Sequence, residues 1–398
     1  MSDLDLDRVR AAFPSLSLGT AHFDGPGGSQ VPAVVARTVA DAMTSGLCQR
    51  GALSATERRT DAVVAEARQA VADLVGGDPA GVVFGRSMTQ LTFDMARTLS
   101  AGWGPGDEVV VTRLDHDADI RPWVVAAERA GATVRWLGFD PVTAELDDVA
   151  PLLSEHTRLV AVTAASNLFG TRPDVAAVAA QAHAVGALVY VDVVHLAPHA
   201  PVDLAATGAD FLVLSPYKLF GPHLGALVAD PALLEGLRPD KLLPSSDAVP
   251  ERFELGTLPY ELLAGVTAAV DFIASLVPGQ GSRRERVVAS MTAVEKHEAG
   301  LLRRLLDGLA DIEGVTVHGR AARRTPTVLL TVEGHAPRDV HAHLGAQDVN
   351  APSGHFYALE ASRHAGLGDA GGVRVGLAAY SSPEDVDRLL ACLRALLG

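Results

Sequence analysis

The segment FLVLSPYKLFGP, residues 211–222, places a lysine just beyond an apolar run. The run itself, residues 211–214, has no polar residue and is typical of a buried strand, and Lys218 follows shortly after it. A second apolar run, residues 188–191, ends at Asp192, which precedes Lys218 by 26 positions. In an open α/β sheet, groups at the carboxyl ends of the strands converge on one crevice. We therefore expect the Asp192 carboxylate and the Lys218 amine to face the same ligand.

A carboxylate and an amine that meet in such a crevice suit the cofactor pyridoxal 5′-phosphate (PLP). The amine forms a Schiff base with the cofactor aldehyde, and the carboxylate keeps the pyridine nitrogen protonated so that the ring accepts electrons. Lys218 then also acts as the catalytic base at the substrate Cα. The alternative interpretation is that Asp192 caps a helix and that Lys218 is a solvated loop lysine.

Composition limits the class of protein. The chain has 398 residues, of which 48% are hydrophobic and 20% charged, and these values predict an ordered globular protein with two domains. The net charge of −15, without a Lys/Arg-rich block, argues against a nucleic-acid partner. Two cysteines cannot form a disulfide framework or a zinc cluster by themselves, so we expect no metal. The sequence shows no signal-peptide pattern and no apolar stretch of about 18 residues, so we expect a cytoplasmic protein without a membrane partner.

Strand and helix patterns alternate along most of the chain. Strand patterns lie at residues 81–84, 108–111, 133–137 and 159–165, and helical patterns at residues 60–74 and 124–130. This alternation predicts βαβ units and an α/β fold with a mostly parallel sheet flanked by helices. Beyond about residue 265, a long helical pattern at 283–309, strand patterns at 315–318, 327–332 and 373–378, and a helix at 383–397 predict a smaller α+β domain. We place the large PLP-binding domain at residues 20–265, and the small domain at 1–19 plus 266–398.

Further segments occur in an order that, together with Asp192 and Lys218, matches one family. These segments are FDGPGG at 23–28, RSMTQ at 86–90, DHDA at 115–118, SNLFG at 166–170, RFELGT at 252–257 and RVGL at 374–377. The chain resembles the fold-type I PLP-dependent enzymes, in particular the class V aminotransferase group that includes cysteine desulfurases and selenocysteine lyases. The resemblance covers nearly the whole chain and implies a fold-type I PLP-dependent transferase fold and a homodimer with composite active sites.

The resemblance implies a phosphate loop at residues 86–90. Backbone N–H groups at a helix start and the Thr89 hydroxyl hold the phosphate there. A simple helix cap at Ser87 is the alternative. The phosphate-binding residues that the resemblance implies are Ser87, Met88, Thr89, Ser215 and Tyr217, and also Thr257, which reaches the phosphate in the partner subunit.

Around the cofactor ring, the resemblance implies three polar contacts. His116 stacks on the ring, and Asn167 hydrogen-bonds to the phenolic oxygen. His195 stands where desulfurases usually have glutamine; it can hydrogen-bond near the same oxygen and can also titrate near neutral pH. A structural histidine at a strand end and a turn-forming asparagine are the alternatives.

Two arginines are the predicted substrate ligands. Arg374 resembles the family arginine that binds the substrate carboxylate, a task for which the planar guanidinium is suited because it binds carboxylates bidentately. Arg50 matches a second family arginine near the active site. A solvated surface charge is the alternative for either residue.

The stretch SGHFY, residues 353–357, departs from the desulfurase pattern. Tyr357 stands in the place of the cysteine that accepts sulfur in desulfurases. Cys392 has apolar neighbours typical of core packing, and Cys48 does not match the position of the sulfur acceptor. We therefore expect a PLP-dependent C–S lyase that acts by β-elimination on cysteine or an S-conjugated cysteine, with Tyr357 or His355 protonating the leaving group or shaping the substrate pocket.

Other outcomes stay open at this point. Decarboxylation-coupled oxidative deamination of an S-conjugated cysteine, transamination and epimerisation differ from elimination in which bond at Cα is broken, or in where the proton returns. The sequence does not show the orientation of these bonds. A true cysteine desulfurase is less favoured because of Tyr357. A non-enzymatic PLP-binding scaffold is least favoured, because it need not keep both Asp192 and Arg374.

Overall fold

The computed structural model describes residues 4–398, and the architecture below refers to that part of the chain. The strands are β1 (Ala21–His22), β2 (Val82–Gly85), β3 (Glu108–Thr112), β4 (Thr133–Leu137), β5 (Thr157–Thr163), β6 (Leu188–Asp192), β7 (Phe211–Leu214), β8 (Gly225–Ala229), β9 (Val315–His318), β10 (Thr327–Val332), β11 (Val349–Asn350), β12 (Ser353–Gly354) and β13 (Gly372–Gly376). The α-helices are α1 (Leu6–Ala11), α2 (Ala33–Thr44), α3 (Ala55–Val75), α4 (Met88–Ser100), α5 (Arg121–Ala130), α6 (Val175–Ala184), α7 (Leu204–Thr207), α8 (Pro231–Glu235), α9 (Tyr260–Ala274), α10 (Arg283–Ala310), α11 (Pro337–Gly345), α12 (Leu359–His364) and α13 (Pro383–Leu397).

The larger sheet has the strand order β2-β8-β7-β6-β5-β3-β4. Strands β3 to β7 pair in parallel, and β8 is antiparallel to both of its neighbours. The carboxyl ends of β6 and β7 are adjacent, because Asp192 pairs with Val213. The α/β fold with a mostly parallel sheet, predicted from the sequence, is confirmed. The strand β8 was not predicted, since only Val228 of its five residues is β-branched.

Local sequence signals explain where several helices begin. Ser54, Ser282 and Ser382 each accept a hydrogen bond from the third residue of the helix that follows, whose carboxylate bonds back to the serine N–H. At the other end of α3, Gly76 has a φ of 71°, a left-handed conformation that glycine adopts without steric cost.

The smaller sheet is antiparallel, with the order β12-β13-β10-β9. Its apolar face packs against α10, α11 and α13 through a core that includes Leu305, Leu344 and Leu389. This is the smaller α+β unit predicted for the C-terminal part of the chain. Within residues 4–398 there is no helix that combines the length and the apolar character needed to cross a membrane.

The N-terminal segment contacts both predicted domains, whose boundaries stay a prediction. Strand β1, which the prediction put in the large domain, pairs with β11 and packs in the core of the smaller sheet. Residues 4–19, predicted to belong to the small domain, contact both units: the Phe13 ring lies 5.3 Å from the Phe220 ring, and Arg10 pairs with Asp385 of α13 at 2.8 Å. Residues 1–3 of the predicted small domain lie outside the described residues.

Candidate active site

An inner cavity of about 480 Å³ lies at the carboxyl ends of β5, β6 and β7, beside the start of α4. Its lining residues are Ser87, Met88, Thr89, His116, Ala118, Thr163, Ala165, Asn167, Asp192, Val194, His195, Ser215, Tyr217 and Lys218. The fold thus brings together all the predicted cofactor-binding residues except Thr257. The convergence arises because parallel strands deliver their terminal loops to one edge of the sheet.

An outer chamber opens from this cavity. It shares Thr89, His116, Asn167, Tyr217 and Lys218 with the inner cavity. The smaller sheet and its loops add Phe356, Tyr357 and Arg374. A molecule attached at Lys218 therefore has a path to solvent that passes the predicted substrate arginine.

Asp192 and Lys218 are both buried at the base of the site. Burial and the positive charge of nearby Arg374 lower the pKa of the Lys218 amine to about 8, against the opposing effect of Asp192. Burial raises the pKa of Asp192 to about 6, although its bond from the Val194 N–H and the charge of Lys218 act in the opposite direction. A lysine with a lowered pKa is available as a neutral nucleophile and base near neutral pH.

At the phosphate end, Ser87 caps α4 and its hydroxyl accepts a hydrogen bond of 3.1 Å from the Gln90 N–H. The first N–H groups of a helix lack intrahelical partners, so this end of α4 favours an anion. Gly225 of β8 packs directly beneath the loop: a Cβ at this position would lie 2.3 Å from the Met88 nitrogen. The small residue therefore allows the strand backbone to hold the loop in place.

His116 is a neutral ring in the wall of the cavity. Its Nδ1 accepts a hydrogen bond of 3.0 Å from the Ala118 N–H. Burial, together with the positive charges of Lys218 and Arg374, lowers the pKa of His116 to about 3. Its ring lies 5.5 Å from the Tyr357 ring, with 29° between the two planes. A flat, uncharged ring in this position is suited to stacking on an aromatic ligand.

Two polar atoms in the cavity wall are buried without a hydrogen-bond partner among residues 4–398. They are Oδ1 of Asn167 and Nδ1 of His195. The Asn167 amide nitrogen donates to the Phe356 carbonyl at 2.9 Å, whereas Nε2 of His195 lies 3.0 Å from the Thr327 hydroxyl. Because unsatisfied buried polar groups are costly, these two atoms indicate a site built for a polar ligand.

Arg374 is buried on β13 and faces the outer chamber. Its Nη1 donates to the Asn167 carbonyl at 3.0 Å, and the guanidinium carbon lies 3.7 Å from the centre of the Phe356 ring. In the part of the chain that the structure describes, its Nε has no hydrogen-bond partner. Burial lowers the pKa of Arg374 to about 9. A desolvated, only partly satisfied guanidinium is suited to bind an anion such as a substrate carboxylate.

The aromatic turn, defined here as Phe356 and Tyr357, forms part of the wall of the outer chamber. Both residues have positive φ angles, 52° for Phe356 and 59° for Tyr357. The Tyr357 carbonyl accepts a hydrogen bond of 2.7 Å from the Asp117 N–H, which ties the turn to the larger sheet's loops. The Tyr357 side chain is 71% exposed and is one of the residues that line the chamber.

Three predicted site residues line neither cavity. Arg50 is paired with Asp61 at 2.8 Å and with Glu251 at 3.1 Å, and these carboxylates raise its pKa. Thr257 is exposed on a loop. His355 is half-buried, and within residues 4–398 its Nδ1 has no hydrogen-bond partner. The single chain therefore does not bring these three residues to Lys218.

The sequence patterns missed three residues at or near the site. The Phe356 ring packs against the Arg374 guanidinium, but Phe356 lies in a segment without a helical or strand pattern. Asp115 and Asp119 are buried, and burial together with the neighbouring carboxylates raises the pKa of both. The acidic spacing in residues 115–119 gave no sign of which carboxyl groups are buried, because burial there depends on how the loop packs beneath Asp192.

Comparison with known proteins gives the same class. The family model described as aminotransferase class-V matches residues 21–389. The chain is 38% identical, over 98% of its length and 99% of the relative, to an uncharacterised protein of Mycobacterium tuberculosis. It is 31% identical, over 99% of both chains, to a cysteine desulfurase of Klebsiella pneumoniae. The apo structure of a cysteine desulfurase from Thermococcus onnurineus superposes with a TM-score of 0.90 and 25% identity, covering 100% of this chain and 98% of that one.

The chain therefore belongs to the class V aminotransferase family. It is a PLP-dependent enzyme with the fold of the cysteine desulfurases, as the sequence predicted. The residues present fit the cofactor: the α4 start suits its phosphate, Asp192 its ring nitrogen and Lys218 its aldehyde. The two unpartnered atoms of Asn167 and His195 supply polar contacts for the ring substituents.

Proposed function

We propose that this enzyme is a C–S lyase that cleaves cysteine or an S-conjugated cysteine by β-elimination. One water is consumed, and the products are a thiol, pyruvate and ammonia. The observation that carries the proposal is the position of the two cysteines. Neither Cys48 nor Cys392 is among the described residues that line the two cavities.

A desulfurase needs a protein thiol to accept sulfur from the substrate. Cys48 is exposed, on a segment whose backbone N–H bonds to the Thr60 hydroxyl. Cys392 lies on α13, packs against the core of the smaller sheet and has a pKa raised by burial, which disfavours the reactive thiolate. If sulfur departs as a free thiol, no acceptor is required.

When bound, PLP supplies an electron sink for negative charge at the substrate Cα. Asp192, at the base of the site, would keep the ring nitrogen of the cofactor protonated. Lys218 takes the proton from Cα. Because the pKa of Lys218 is lowered to about 8, the amine is close to the range in which a base works efficiently at neutral pH. Arg374 binds the substrate carboxylate and so orients Cα toward Lys218.

The carboxylate clamp also favours elimination over decarboxylation. Loss of CO₂ removes the charge that binds Arg374, so this interaction stabilises the ground state more than it stabilises decarboxylation. Elimination leaves the carboxylate in place. We assign the protonation of the departing sulfur to Tyr357, which lines the outer chamber, in preference to His355, which does not.

The test is a product assay on purified holoenzyme with L-cysteine and with an S-alkyl cysteine. We expect pyruvate and the matching thiol in equal amounts from the conjugate, and neither from the Lys218→Ala control. Oxygen uptake with an aldehyde product would instead indicate oxidative deamination coupled to decarboxylation. Exchange with an added keto acid would indicate transamination, and sulfide from free cysteine without pyruvate would indicate desulfurase chemistry.

We also propose that the enzyme is a cytoplasmic homodimer with composite sites. The segment around Thr257 is exposed, including Leu255 at 51% exposure, and an exposed apolar side chain there suits an interface. In such a dimer, Thr257 reaches the phosphate in the partner's site. Light scattering of the purified protein should give a mass near twice the monomer's 41.4 kDa; a monomer that is active would contradict the composite site.

A further inference from the structure

A buried hydrogen-bonded group joins the cofactor cavity to the smaller sheet. Nε2 of His195 lies 3.0 Å from the Thr327 hydroxyl and 3.2 Å from the Thr325 hydroxyl. His195 follows β6 of the larger sheet, whereas Thr327 opens β10 of the smaller one. All three side chains are buried. The smaller sheet therefore supports a residue that lines the cofactor cavity.

The hydroxyl hydrogens determine which ring nitrogen of His195 carries the proton. The Thr325 hydroxyl donates to the Gly170 carbonyl at 3.3 Å, so its 3.2 Å contact with Nε2 supplies no hydrogen to the ring and leaves Nε2 free to accept from Thr327. Among residues 4–398, His195 Nε2 is the hydrogen-bond partner of the Thr327 hydroxyl. A hydroxyl that donates to Nε2 requires Nε2 to be the acceptor, and the ring hydrogen of a neutral histidine then resides on Nδ1.

The Nδ1 atom of His195 is the unpartnered atom in the cavity wall described above. A hydrogen on this atom gives the cavity a neutral donor. Asn167, the other residue predicted near the phenolic oxygen, already spends one of its two amide hydrogens on the Phe356 carbonyl at 2.9 Å. Asn167 keeps its second amide hydrogen, and His195 adds a second donor on this side of the cavity only in its Nδ1–H form.

We propose that Thr327 is a positioning residue that fixes His195 in its Nδ1–H form, so that His195 donates a hydrogen bond to the phenolic oxygen of PLP. The proposal depends on PLP binding and not on the C–S lyase reaction. Thr327 does not line the cavity and acts only through His195.

The surroundings keep His195 neutral, as this role requires. Burial lowers its pKa well below the usual value, and the positive charges of His199, Lys218 and Arg374 lower it further. The His199 ring lies 5.2 Å from that of His195, and its Nδ1 bonds to the buried Glu298 carboxylate at 2.9 Å. The remaining titratable groups of the cavity wall are Asp192, His116 and Tyr217.

The proposal has a spectroscopic consequence that does not depend on turnover. A donor to the phenolic oxygen withdraws electron density from it and weakens that oxygen's hold on the proton shared with the lysine linkage. The linkage then loses its proton at a lower pH. Removing the donor should therefore raise the pH midpoint at which the visible absorption band of the bound cofactor changes.

The experiment is a pH titration of this band in substrate-free holoenzyme. Thr327→Val should raise the midpoint by about half a unit or more, since a hydrogen bond to a charged acceptor is lost. Thr327→Ser keeps the hydroxyl and should titrate like the wild type. Thr331→Val is the matched control: Thr331 lies on the same strand and pairs with Nε2 of His318 at 2.9 Å, away from both cavities.

A double-mutant cycle completes the test. His195→Ala should raise the midpoint at least as much as Thr327→Val, and adding Thr327→Val to it should change nothing further. Thr327→Ala serves in place of the valine variant if the latter does not fold. The proposal is overturned if the midpoint of the Thr327 variant equals that of the wild type, if Thr331→Val shifts it as much, or if the effects at positions 327 and 195 simply add.

Discussion

The inner cavity and the aromatic turn belong to one site but are built differently. The inner cavity is formed at the ends of adjacent parallel strands, and Asp192 and Lys218 are buried there. The turn of Phe356 and Tyr357 comes from a connection between the short strand β12 and the helix α12, and Tyr357 is 71% exposed. We expect the inner cavity to bind the cofactor and the aromatic turn to contact the side chain of the substrate.

The two regions also hold different kinds of strain. In the inner cavity the cost is electrostatic, because Asp192, Lys218 and Arg374 are ionisable groups removed from water. In the turn the cost is conformational: two non-glycine residues lie at positive φ, each at about 1–2 kcal/mol. Bound cofactor and substrate can offset the first cost, whereas backbone contacts such as that from Asp117 offset the second. Substitutions in the two regions should therefore fail in different ways.

The largest effect is expected at Lys218. Lys218→Ala removes both the attachment point and the base, so the visible absorption band should be lost and turnover should fall by about a thousandfold or more. Lys241→Ala is the matched control, because Lys241 lies on a loop that contributes to neither cavity. An unchanged band in the Lys218 variant would place the attachment point elsewhere.

Asp192→Asn should separate stability from function. The carboxylate pKa is raised from 3.8 to about 6 by burial, so the unfolded state loses its proton first and the stability of the apo-protein falls as the pH rises through this window. At pH 7 the asparagine removes that cost, and thermal unfolding of the apo-protein should occur at a higher temperature. PLP affinity should nevertheless fall by about tenfold or more, because a charged partner is lost.

Equilibrium dialysis with PLP and calorimetry of the apo-protein measure these two effects. A variant that binds PLP as tightly as the wild type would contradict the assigned contact with the ring nitrogen. A variant whose apo form is less stable at pH 7 would show that the buried charge is compensated by other groups.

Arg374→Ala should mainly raise KM. The lost contact is charge-assisted, so we expect an increase of about ten- to a hundredfold with a smaller change in kcat. Arg374→Lys keeps the charge but not the planar fork, and it should recover only part of the affinity. If KM is unchanged in both variants, Arg374 serves only to hold the Phe356 ring and the Asn167 carbonyl.

The pH dependence of cofactor uptake tests the electrostatics of the inner cavity more finely. Only the neutral amine attacks the aldehyde, so the rate at which apo-protein incorporates PLP should rise with pH around a midpoint near 8. The same lowered pKa means that this lysine adds to stability as the pH rises from about 8 to 10.5, because the unfolded state still binds the proton there. A midpoint near 10.5 would show that Lys218 is not desolvated in solution.

The sequence predicted more of the inner cavity than of the aromatic turn. Strand bounds such as 188–192 and 211–214 follow from continuous apolar runs, and the convergence of Asp192 and Lys218 follows from the parallel pairing of those strands. The phosphate loop at residues 86–90 was predicted from the family resemblance, and these residues lie at the start of α4. The strand bounds and this convergence depend on local pattern and on a general rule of sheet geometry.

Local sequence patterns did not predict the contacts that the smaller sheet makes with the site. Thr327 and His195 are 132 positions apart in the sequence, and their contact depends on how the two sheets pack together. The positive φ angles of Phe356 and Tyr357 carry no sequence sign either, since neither residue is a glycine or an asparagine. Arg50 followed a motif, but its two carboxylate partners come from separate segments and are visible only in the fold.

The smallest effect is expected from Tyr357→Phe, which keeps the ring against His116 and removes the hydroxyl. Thiols are acidic enough to leave as anions, so a proton donor contributes less to C–S cleavage than to cleavage of a poorer leaving group. We expect kcat to fall by about tenfold or less for an S-alkyl cysteine, and hardly at all for an S-aryl cysteine, whose thiolate is more stable. Comparing kcat for the two substrates in wild type and variant measures this difference. An equal loss for both would mean that Tyr357 shapes the chamber without giving a proton to sulfur, and the mouth would then contribute to substrate fit alone.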